Sequence, residues 1–168
     1  TQKAAVKAAL EHSIKASSVE LLPTALRAKD TQWKYTTSTP ADSWTSLSSN
    51  DAAWTSGVSC FGAVGPPNTS YDNKSTINTV WNTSDIYLRK TFRVNELTDE
   101  LRAGLRLTLY HDDDCEVYIN GVLAFSATGY TSNYKKVDIS AEAKNALRAN
   151  GNNVIAIKCK QFGGGQYI

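Results

Sequence analysis

The sequence predicts an all-β chain, an antiparallel β-sandwich with an N-terminal helical extension. Three observations carry that reading. Apolar and polar residues alternate over Asp85–Val94, then over Leu105–Leu109 and Val117–Ile119, the period of a strand buried on one face. Asn120-Gly121 follows at once and supplies the positive φ angles of a two-residue hairpin turn. Short strand-like runs separated by Gly, Asn, Asp, Ser and Pro continue to the end, with no regular alternation of strand and helix.

Each element has its own warrant. Gln2 to Leu22 is rich in Ala, Lys, Leu and Glu, which favour helix. Val6, Leu10 and Ile14 recur every fourth residue with Leu21 near the same stripe, and Pro23 stops the pattern. Residues 1–30 therefore read as a helical linker or extension, docked on the sandwich through that stripe, and residues 31–168 as the sandwich. Gln32–Thr37 alternates as a strand, with Trp33 assigned to the core. Residues 38–57 read as an ordered loop pinned by Trp44 and Trp54, and residues 62–75 as a second long loop around Gly65-Pro66-Pro67. In Asp85–Val94 the parity of Ile86, Leu88, Lys90, Phe92 and Val94 is opposite to that of Arg89, which is expected to pair with an acidic neighbour. Val122–Phe125 returns as the hairpin partner. Tyr134–Ile139 is a further strand, Ala141–Ala149 a short helix or turn, and Asn153–Lys160 a last strand.

Composition narrows the class. The chain has 168 residues, enough for one domain with a real core, and a net charge of +2 is too small for a nucleic-acid footprint. The apolar runs are too short for a bilayer-spanning helix, so no membrane partner is expected. Cys60, Cys115 and Cys159 are an odd number without a CxxC pair, and the parity of Cys115 and Cys159 places both in the core. The opening Thr1-Gln2-Lys3 and the absence of methionine suggest a fragment or processed form without a signal peptide. Asn68, Asn73 and Asn82 match the N-glycosylation tripeptide, a pattern that also arises often by chance.

Four segments in order carry a resemblance: Asp85-Ile86-Tyr87-Leu88-Arg89-Lys90-Thr91-Phe92, Glu116-Val117-Tyr118-Ile119-Asn120-Gly121, Gly129-Tyr130, and Gly151-Asn152-Asn153-Val154-Ile155-Ala156-Ile157. The series, with Trp44 and Trp54 upstream, resembles the sugar-binding, jelly-roll domain of family 2 glycoside hydrolases, within the galactose-binding-like superfamily. It covers roughly residues 31–168. The resemblance implies a jelly-roll sandwich serving as a noncatalytic module of a secreted, extracellular or periplasmic, carbohydrate-active enzyme. Its implied partners are an oligo- or polysaccharide and a catalytic domain linked in the same parent chain.

Candidate sites follow from side-chain chemistry. Trp81, Tyr71, Tyr130 and Tyr134 offer flat faces for the C–H face of a pyranose, and Gln161, Gln166 and Tyr167 combine amide, phenol and glycine-rich backbone. His111-Asp112-Asp113-Asp114 has three readings: calcium held by Asp112, Asp113 and Asp114, a solvated turn, or acceptors for sugar hydroxyls. No other cofactor is expected. A catalytic site has the least support, because GxSxG is absent and neighbouring carboxylates on one turn rarely flank a scissile bond. The leading expectation is a carbohydrate-binding module that holds glycan in surface loops. The alternative is a structural accessory domain that packs against a catalytic domain without binding sugar.

Overall fold

The computed structural model describes residues 2–4, 20–63 and 74–168. Its strands are β1 (Gln32–Thr36), β2 (Thr55–Val58), β3 (Phe61–Gly62), β4 (Thr79–Val80), β5 (Asp85–Val94), β6 (Arg106–Leu109), β7 (Asp114–Ile119), β8 (Val122–Ala127), β9 (Lys135–Asp138) and β10 (Gly151–Lys160). Two short helices, α1 (Asp99–Gly104) and α2 (Ala141–Ala146), join strands, and Asp42–Thr45 forms a 3-10 turn. Residues 2–4 are helical. The stripe of Val6, Leu10 and Ile14 lies outside the described residues, as do Tyr71, Asn68 and Asn73.

The first layer is an antiparallel sheet in the order β2-β1-β5-β10-β7-β8. β5 and β10 pair along their whole length, from Val94 opposite Gly151 to Asp85 opposite Lys160. Alternation then sends Phe92, Val94, Val117, Ile119 and Ile155 to one face. The antiparallel β6–β9 pair covers that face with Leu107, Leu109 and Val137, while α2 adds Ala143 and its flanking Leu147. Buried apolar area between the two layers supplies the main driving force, at roughly 25 cal/mol per Å². Leu21 and Leu22 also pack on this cluster, so the sandwich's packing begins before residue 31.

The other face of the large sheet is covered by the loop between β1 and β2. Arg89, only 2% exposed, projects from the middle of β5. Its Nε donates to Asp51 Oδ2 at 2.8 Å, and its guanidinium also donates to the carbonyls of Trp44, Ser46 and Ser49. Trp44 stacks on Trp54 and meets Tyr87 and Tyr118 edge-on. The expected pairing of Arg89 and the pinning role of the tryptophans both hold.

The hairpin turn is as expected, with φ of 50° at Asn120 and 87° at Gly121. Asn120 does more than turn the chain. Its amide donates to Ala146 O and Asn153 Oδ1, and its Oδ1 accepts from Val154 N, tying the hairpin to α2 and β10. Helix α1 lies in a stretch where the sequence reading placed no element. Thr98 caps its N-terminus by accepting from Leu101 N, as Ser140 caps α2 by accepting from Ala143 N. One pairing departs from the antiparallel expectation: the two-residue β3 and β4 run parallel.

Candidate functional site

The turn between β6 and β7 carries His111 and the three aspartates, and the backbone points their side chains to different places. His111 is buried, and its Nδ1 lies 2.6 Å from Asp113 O. Asp112 is 5% exposed, and its backbone exchanges hydrogen bonds with Tyr167. Asp113 Oδ2 accepts from the amides of Phe162 at 2.7 Å and Gly163 at 3.3 Å. Asp114 Oδ1 accepts from Gly129 N at 2.7 Å. Glu116, the next carboxylate, accepts from the Tyr118 hydroxyl at 2.8 Å.

This geometry lends no support to the expectation of calcium at Asp112, Asp113 and Asp114. Two of the three carboxylates, those of Asp113 and Asp114, already accept from backbone amides. Among the described residues, no group of three or more His, Cys, Asp or Glu side chains is placed to share a metal ion. Partial desolvation works against the charge on Asp113. The Phe162 amide, the Asp112 side chain, the Gly163 amide and nearby His111 outweigh it and hold the Asp113 carboxyl below its usual range.

The two loops held by Asp113 and Asp114 present exposed aromatic rings. Tyr130, next to Gly129, is 68% exposed, and Phe162 is 65% exposed. The first loop is fixed again by Thr131 N donating to His111 O at 2.8 Å. Gln161 N donates to Ser84 O at 2.7 Å and fixes the second. Lys160 Nζ sits 4.7 Å from the centre of the Phe162 ring. Gln161 Oε1 is buried without a hydrogen-bond donor among the described residues. Two rings and a cation thus share one end of the sandwich.

The other expected ligand residues lie elsewhere. Trp81 is 1% exposed, packed with Phe61, Ile86, Leu88 and Cys159, and its Nε1 donates to Thr83 Oγ1. Its indole faces are therefore core surface and offer nothing to a solvent-borne sugar. Gln166 is buried, donating Nε2 to Thr83 O at 2.7 Å. Tyr167, 1% exposed, stacks on Tyr110 at 4.0 Å and donates its hydroxyl to Thr131 O. Tyr134 is half-buried beside Tyr110, with its hydroxyl 2.6 Å from Ser75 Oγ, and burial raises its pKa. The cause is common to Gln166 and Tyr167. The tail turns back as a strand between β3 and Asp112 instead of remaining an open loop. Phe162 was missed by sequence reasoning; the available signal was an aromatic residue between a strand end and Gly163-Gly164-Gly165.

The chain matches no protein-family model and no curated protein. Solved structures do match. A β-glucuronidase from glycoside hydrolase family 2 superposes with a TM-score of 0.55 at 19% identity, over 80% of this chain and 14% of that one. A family 2 glycosyl hydrolase from Bacteroides cellulosilyticus DSM 14838 gives 0.56 at 17% identity, over 82% of this chain and 18% of that one. The fold is that of a sandwich domain in family 2 glycoside hydrolases. The chain spans less than a fifth of either enzyme's length.

Proposed function

We propose that this chain is a noncatalytic carbohydrate-binding domain of a larger, family 2-like glycoside hydrolase, holding an oligo- or polysaccharide at the Tyr130–Phe162 end. The observation that carries the reading is the pair of largely exposed rings on loops tied to adjacent carboxylates. Aromatic faces pack against the apolar C–H faces of sugars, and fixing their loops beforehand lowers the entropy cost of binding. The exposed Lys160 ammonium is available for sugar hydroxyls. The fold match to a small part of much longer enzymes supports a linked catalytic domain as partner; an extracellular or periplasmic setting is part of the same proposal. Such a domain raises the local concentration of its enzyme at the polymer.

Calorimetry against a panel of plant, algal and host glycans, with and without calcium, tests the proposal. Saturable binding to one glycan class, weakened tenfold or more in Tyr130→Ala or Phe162→Ala, is the expected result. No binding across the panel favours an accessory domain that packs against its catalytic neighbour.

A further inference from the structure

The large sheet sets two of the three cysteines face to face. Cys115 of β7 and Cys159 of β10 are directly opposite in the antiparallel register, between the Glu116–Lys158 and Asp114–Lys160 pairs. Opposite residues project to the same side of a sheet, and both of these are buried there. The ladder also sets how close they come. Asn120 N donates to Val154 O at 3.0 Å, so hydrogen-bonded positions recur at every second pair: Tyr118–Ala156, Glu116–Lys158 and Asp114–Lys160. Lys160 O, which accepts from Asp113 N at 3.1 Å, faces β7 as this phase requires. Cys115 and Cys159 therefore form a non-hydrogen-bonded pair, the closer kind, with α-carbons about 4.5 Å apart. A disulfide spans α-carbons roughly 4.4–6.8 Å apart.

In the reduced chain both thiols are free, and Cys159 Sγ donates to Asp112 O at 3.7 Å. Burial raises the Cys159 pKa and Cys115 adds to it, as a neighbouring ionisable group does. Cys60 belongs to a different cluster, with Ile77, Tyr110 and Tyr167, and its Sγ donates to Ile168 O at 3.2 Å.

We propose that Cys115 and Cys159 are an oxidative modification site, a cross-strand pair that a small-molecule disulfide of the glutathione class converts to a disulfide bond within the native sheet. The thiolate of one cysteine attacks a sulfur of the oxidant, forming a mixed disulfide and releasing one small thiol. The thiolate of the other then attacks the protein sulfur, closes the Cys115–Cys159 bond and releases the second. The protein gives up two electrons and two protons, and the oxidant is reduced to two thiols. Thiolate is the reacting form, and burial pushes the Cys115 pKa up to about 12 in the folded chain. Exchange therefore runs before β7 and β10 close over the pair. The bond spans the chain from β7 through β8, β9 and α2 to β10. It locks the two strands from whose ends the Asp113 turn and the Phe162 loop leave.

The test refolds the reduced, denatured full chain in a glutathione redox buffer. One free thiol per chain is expected after denaturation, with a Cys115–Cys159 link in the unreduced peptide map. The linked chain should melt about 5 °C or more above the reduced one, because the bond restricts the unfolded chain. Cys60→Ala should keep both the link and the Tm difference, while Cys115→Ala should lose both. Three free thiols after refolding, a link through Cys60 or between chains, or a linked chain that melts no higher than the reduced one would overturn the proposal.

Discussion

The backbone amide of Phe162 donates a 2.7 Å hydrogen bond to Asp113 Oδ2, so a carboxylate on the β6–β7 turn holds the loop that presents the Phe162 ring. The bond also links the loop to acid. Asp113 has a depressed folded pKa, so its contribution is complete above the ordinary carboxylate value of about 3.9 and is lost as pH falls through the depressed value. The Phe162 and Gly163 amide resonances should shift together below about pH 4. Asp113→Asn should abolish that titration, and Asp113→Ala should cost about 1 kcal/mol in denaturant unfolding, the scale of a solvent-screened hydrogen bond.

Trp81→Ala should act on stability. Removing a fully buried indole beside Phe61, Ile86 and Leu88 leaves a cavity worth about 3–5 kcal/mol. Chemical denaturation should show that loss. Glycan affinity of the fraction that remains folded should stay within about twofold of the parent, roughly 0.4 kcal/mol.

Arg89→Ala should be among the most damaging single changes. It removes the partner of Asp51 and leaves the carbonyls of Trp44, Ser46 and Ser49 without their donor, a cost of about 3–5 kcal/mol. Arg89→Lys should recover little, since one ammonium cannot reproduce a planar fork that reaches four acceptors. Loss of the near-ultraviolet circular dichroism from the Trp44–Trp54 pair would report the loop's release.

The three thiols should be silent in the folded protein. Cys60, Cys115 and Cys159 are buried and free, and burial pushes the pKa of Cys60 and of Cys115 up to about 12 and raises that of Cys159 as well. A thiol reagent at pH 8 should label none of them until denaturant is added, and then all three.

Most of the sandwich was legible because its strands alternate strictly. β5 runs over Asp85–Val94 as the parity of Ile86, Leu88, Phe92 and Val94 requires, and Asn120-Gly121 turns the chain where the pattern breaks. The two-residue β3 and β4 were not legible, since so short a pair has no period and is held by its neighbours. The site was legible in part. Tyr130 stands in a connection with no apolar period, and it is exposed as expected. Tyr167 and Gln166 looked like loop residues beside three glycines. Only long-range pairing with Phe61 and Asp112 carries them inside, and no local pattern encodes that pairing. The partners of Asp113 and Asp114 were hidden for a related reason: their amides come from the Phe162 and Gly129 loops, distant in sequence.

The central claim is that the Tyr130–Phe162 end holds glycan, and titration calorimetry on the parent chain and the Tyr130→Ala, Phe162→Ala double variant tests it most directly. The account predicts saturable binding of one glycan class by the parent and at least a hundredfold loss in the double variant, about 2.7 kcal/mol, with Tm changed by less than 2 °C because both rings are largely exposed. Parent and double variant binding the same glycan with equal affinity would contradict it.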